Sequence, residues 1–149
     1  MNQVLFYLGL ALLAGIFIPT QAGINSQLSL WTRSPVLAST ISFAVGTVVL
    51  IVYSLAMRLP VPVLATAGAI PWWVWTGGAL GAYFVAATIF LAPKLGATTM
   101  VGVLLAGQMI ASLTYDHFGL LGYPIHPVSL GRIIGVLMIA GGVMLVKNY

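Results

Sequence analysis

Charge is nearly absent from this sequence, and where it occurs it stands alone. No charged residue precedes Arg33, and the rest are Arg58, Lys94, Asp116, Arg132 and Lys147. The intervals between them are apolar: 61% of the 149 residues are hydrophobic and 4% are charged. A soluble domain carries about 25% charged residues, so this chain cannot cover a water-facing surface. It reads as an all-α integral membrane protein. Its net charge of +4 rests on five Lys/Arg against one acid. Scattered singly, these charges act as topology signals and do not form a nucleic-acid patch. The absence of cysteine excludes disulfides and thiolate metal sites.

A bilayer core takes about 20 apolar residues per helix. Breaks fall at "TRSP", "RLPVPV…AIPWW", "APKLG" and "DHFGLLGYPIHP". They leave five spans, roughly 4–31, 35–58, 72–92, 96–116 and 129–147, within a single transmembrane domain over 1–149. Ser34 is placed to cap the second span, with Pro35 at the first helical position, where a missing N–H costs nothing. Pro71 is expected to open the third span in the same way, ahead of an interfacial belt of Trp72, Trp73 and Trp75. Pro93 is expected to close that span, and Gly119 to end the fourth as a left-handed cap. The start "MNQVLFYLGL" lacks the positive n-region of a secretory signal, so the first span is expected to be retained.

Five spans put the termini on opposite sides. Arg58 and Arg132 then lie on the N-terminal side, and Arg33, Lys94 and Lys147 on the other. Lys/Arg asymmetry fixes orientation, and two against three is almost none. Either a single charge still selects one orientation, or the chain inserts both ways and pairs antiparallel.

The stretch "PTQAGINSQLSLW" interrupts the first span. Pro19 cannot donate a backbone bond, so the carbonyl of Gly15 loses its helical partner and a kink is expected. Gln21, Asn25 and Ser29 follow at helical spacing on one face, whereas Gln27 points elsewhere. Polar side chains in lipid are costly unless they face protein or a water-filled cavity. The Gln21/Asn25 face is therefore either interhelical glue or a cavity lining. Gln108, near the middle of the fourth span with Ser112 one turn on, either bonds Asn25 or faces a solute.

Asp116 and His117 end the fourth span. An acid there opposes the helix dipole and calls for a partner; Arg58 and Arg132 lie on its side of the membrane. A structural ion pair and a proton or substrate role both remain open. Gly77 and Gly81, and Gly131 and Gly135, have the small-xxx-small spacing that lets backbones approach. Gly131, Gly135, Met138 and Gly142 form one stripe, a candidate subunit seam. The third span is soft at Gly77-Gly78, with Tyr83 and Phe84 beyond. No Ser–His–Asp, paired-carboxylate, metal-ligand or phosphate-loop pattern occurs, so neither an enzyme nor a cofactor is expected.

The stretches "AGIFIPTQAGINSQLSLWTRSPVLASTISFAVGT", "WTGGALGAYFVAATIFLAPKLGATT" and "GQMIASLTYDHFGLLG" resemble the small YdcZ-like family of the drug/metabolite transporter superfamily. The resemblance covers nearly the whole chain. It implies a five-helix protein of the bacterial cytoplasmic (inner) membrane, an EamA-like half of the ten-helix transporters. It also implies kinship with small multidrug exporters that work as antiparallel dimers. The signature positions it carries over are Gln21, Asn25, Gln108, Asp116 and His117. Those exporters place a glutamate in their first helix, and this chain has none.

The expected function is thus a transporter subunit in the bilayer, paired antiparallel with a second copy into ten helices. It would move a small polar or amphiphilic solute by alternating access. Gln21, Asn25 and Gln108 are the candidate binding residues, with Trp75, Tyr83 and Phe84 available to stack. A narrow ion channel and a non-transporting assembly or regulatory subunit are the alternatives.

Overall fold

The computed structural model describes residues 2–60 and 67–148. Residues 61–66, within the second expected break, lie outside the described residues. All regular structure described is helical, and five helices are long and apolar enough to cross a membrane. They are α1 (Asn2–Thr32), α2 (Pro35–Ala56), α3 (Thr76–Leu95), α4 (Ala97–Phe118) and α5 (Leu130–Asn148).

The ends follow local chemistry. Arg33 turns left-handed (φ 55°) after α1 and Arg58 (φ 51°) after α2. Ser34 caps α2 by accepting from the Leu37 N–H at 3.3 Å, with Pro35 as the first helical residue. Pro71 does not open α3 directly. It precedes a 3-10 turn over Trp72–Trp75, and the α-helix starts at Thr76, whose hydroxyl donates to the Trp73 carbonyl at 2.6 Å. Gly119 caps α4 in the left-handed region (φ 62°). α1 runs helical through Pro19. Its 31 residues reach about 46 Å, more than the ~30 Å hydrocarbon core, so it tilts or extends into the headgroups.

Pro93 departs from expectation. It does not end α3, which continues to Leu95 and stops at Gly96 (φ 74°). The reason is tertiary. A proline at 93 withholds the N–H that would pair with the Ile89 carbonyl, and that carbonyl instead accepts the Ser26 hydroxyl of α1 at 3.0 Å. With its orphan acceptor satisfied, the last turn of α3 persists.

The chain divides into two compact units, residues up to Pro93 and residues from Lys94 onward. In the first, Ala38 of α2 meets Val85 and Ile89 of α3, with Leu28 and Phe84 packed against them. The Phe43 ring of α2 lies 3.6 Å from where a side chain on Gly81 of α3 would begin, an ordinary contact distance. In the second, α4 and α5 meet most closely where Gly102 faces Val143. A Cβ at Gly102 would lie 2.8 Å from a Val143 methyl, so only glycine fits there.

Candidate functional site

The polar chemistry of the first unit gathers on the C-terminal half of α1 and the face of α2 beside it. Asn25 is 5% exposed, and its side-chain nitrogen Nδ2 is buried with no hydrogen-bond partner. Its neighbours on the buried face are Ala22, 2% exposed, and Ser26, which bonds α3. Ser29, expected on the Asn25 face, donates to the Ser26 carbonyl at 2.7 Å and is thus occupied locally.

Gln21 lies one turn from Asn25 but on the flank, exposed. It lines a groove of ≈ 210 Å³ with Ser42, Phe43, Gly46, Thr47 and Leu50 of α2. Position 46 is near the midpoint of α2, so the groove sits at the depth of that helix's centre. Hydroxyls in membrane helices commonly bond back to the preceding turn. Ser39 and Thr40 do so, to the Pro35 and Val36 carbonyls. Among the described residues Gln21, Ser42 and Thr47 make no hydrogen bond. A second groove, of ≈ 320 Å³, continues from Thr47 and Leu50 to Ser54 and Leu55 near the end of α2.

Trp75 and Tyr83 are exposed, and Phe84 packs against the Ala38–Val85–Ile89 cluster. The ring that borders the Gln21 groove is Phe43, which the sequence reading did not single out.

One end of the second unit carries a linked set of polar groups. Asp116, in the last turn of α4, pairs with the Arg132 guanidinium of α5. Arg132 Nη1 also donates to the His126 carbonyl at 2.7 Å, and the His126 N–H donates to the Asp116 carbonyl at 2.8 Å. His117 Nδ1 accepts the Val128 N–H at 3.2 Å, and Tyr115 stacks on Tyr123. The loop between α4 and α5 is thereby tied at both strands of its turn. Arg58, the other partner considered for Asp116, belongs to the first unit. The ion pair itself, with Ser112, lines a groove of ≈ 400 Å³ whose other walls, among them Gly135 and Ile139, are apolar. Gln108 is exposed on α4. On α5 the positions Gly131, Gly135, Met138 and Gly142 are all exposed. The three glycines have nothing within 4 Å of a built Cβ, and Met138 is 72% exposed.

The family model described as "Putative inner membrane exporter, YdcZ" matches residues 6–145. Inner membrane protein YdcZ of Escherichia coli (strain K12) is 36% identical over 77 residues, 52% of this chain and 51% of that protein. The match thus spans about half the length of the curated relative. No solved structure matches.

Proposed function

The chain belongs to the YdcZ family of multi-pass inner membrane proteins, and from that premise we propose that it is an exporter subunit. It moves a small polar or amphiphilic metabolite by alternating access, in an antiparallel dimer of two copies, and it is not an enzyme. One observation carries this reading: the side-chain nitrogen of Asn25 is buried in a membrane helix without a partner. Leaving a buried donor unpaired costs about 1–3 kcal/mol. Such a donor in a lipid-embedded helix is explained when its acceptor arrives with a solute.

Gln21, one turn away and equally unpaired, extends the same polar face. The coupling follows from charge. The sole acid, Asp116, is held by Arg132 at a helix end, so flux proceeds without a proton gradient. The antiparallel pairing draws support from the two-against-three count of Lys/Arg and from the open glycine stripe of α5.

The test begins with a thermal-shift screen of the purified protein against metabolites, followed by flux of the hit in proteoliposomes. Asn25→Ala and Gln21→Ala abolish flux and leave the protein folded, whereas Gln27→Ala is milder. Gln108→Ala tests the amide of the second unit independently. An Asn25→Ala protein with full flux would return the segment to interhelical glue. Gradient-driven uphill flux that Asp116→Asn eliminates would overturn the coupling. Gly142→Leu, which fills no groove within the chain, dissociates the dimer on mild detergent gels while leaving insertion intact.

A further inference from the structure

The face of α2 from Ser42 to Ser54 carries polar groups that the fold itself does not use. Ser42 and Thr47 lack the back-bond that Ser39 and Thr40 make, and Gln21 of α1 faces them across the groove. Gly46 between them has nothing within 4 Å of a built Cβ, which keeps the groove open at its centre. Thr47 and Leu50 line both this groove and the next. The two therefore follow one another along α2, from mid-helix to Ser54 near its end. Phe43, set against Gly81, lies at the inner end.

We infer that this track is a water-accessible binding path for an uncharged polar group of the solute, a hydroxyl or an amide, with Gln21, Ser42 and Thr47 as its specificity-determining contacts. Two physical facts select that class. Amide and hydroxyl groups at mid-helix in lipid require water or a polar partner. No residue lining either groove is charged, so an ion entering at that depth meets no counter-charge and bears the full desolvation penalty. The carboxamide and the hydroxyls each offer both a donor and an acceptor, which suits a neutral ligand that does the same. The inference rests on the transport reading, but its test needs no solute; an inert track with intact flux would sink the track alone.

The chain contains no cysteine, so one introduced thiol reports on one position. Thr47→Cys and Ser42→Cys are compared with Val48→Cys, which lines neither groove and is 60% exposed within the chain. Membrane vesicles are treated with neutral hydroxyethyl methanethiosulfonate and with its cationic trimethylammonioethyl counterpart. A thiol facing hydrocarbon stays protonated and unreactive. Thr47→Cys is expected to react at least about tenfold faster than Val48→Cys with the neutral reagent. Its preference for the neutral reagent over the cationic one should exceed that of Leu59→Cys, which lies after α2, by about tenfold. Ser42→Cys carries the same test should Thr47→Cys fail to insert. Three outcomes overturn the inference: reactivity no greater than at Val48, equal rates with both reagents, or spontaneous disulfide dimers through Thr47→Cys, which would assign the face to a second copy.

Discussion

The two units of this molecule place their hydrogen-bonded polar groups differently, although each also carries an exposed amide within a helix, Gln21 in the first and Gln108 in the second. In the second, the hydrogen-bonding side chains of Asp116, His117, Ser129 and Arg132 converge at one end of the α4–α5 pair, where each finds a partner. The helices above them are held by close packing at Gly102 and Val143. In the first, the uncommitted groups lie away from the helix ends: the Asn25 nitrogen and the Gln21 amide in the C-terminal half of α1, and the Ser42 and Thr47 hydroxyls near the middle of α2. Hydrogen bonds at a helix end can be replaced by water, whereas those at its middle cannot. The second unit is therefore built as a stable hairpin. The first bears an unpaired donor that its own fold does not satisfy.

If that contrast holds, packing errors weigh most in the second unit. Gly102→Leu is expected to destabilise by about 2–3 kcal/mol, because the stiff Val143 side chain leaves no room. Gly102→Ala combined with Val143→Ala should recover most of the loss, and Gly107→Ala, in open space, should be neutral. Thermal melts in mild detergent read all three. A tolerated Gly102→Leu would place the tight contact elsewhere.

Next in size is Ser26 of the first unit, whose hydroxyl bonds across to another helix. Ser26→Ala leaves the Ile89 carbonyl without a donor and is expected to cost about 1–2 kcal/mol. Pro93→Ala restores the helical N–H, so the same Ser26→Ala change made in that background should cost almost nothing. A double-mutant cycle with no coupling would show that the hydroxyl and the proline act separately. The smallest effect is expected at Asp116→Asn, about 0.5–1 kcal/mol, since both side chains of the ion pair are partly exposed (35% and 23%) and water competes. Flux should be unchanged. A larger loss of stability would mean that the ion pair is not open to water and that the contrast between the units is less sharp.

The sequence was legible where one residue acts on its own backbone. Ser34 with Pro35, the left-handed Gly119 and the intervals between single charges place the helices to within a few residues. It was misleading where a neighbour supplies what the local rule says is missing. Pro93 reads as a helix stop, and nothing near it announces a hydroxyl from α1. The tight contact at Gly102 carried no such sign, since its need for space is set by a valine on another helix. Ser42 and Thr47 look like any back-bonded hydroxyls of a membrane helix. Only the packing of α1 beside α2 sets them apart from Ser39 and Thr40. The Asn25/Gln21 pair was visible as a polar face, but its division into a buried amide and a flanking one was not.

The Ser26–Ile89 bond also orders events in time. It joins positions 63 residues apart, and α1 is made and inserted well before the end of α3 emerges. Until the two helices meet, the final turn of α3 has a carbonyl without its donor, at the same cost of about 1–2 kcal/mol. That turn is then frayed or held nearer the headgroups, and it reaches its full length only on docking. Helix insertion and helix completion are thus separate steps for α3, and the second is a readout of correct assembly. A chain in which α1 has entered with the wrong register would carry a third helix whose last turn lacks this bond.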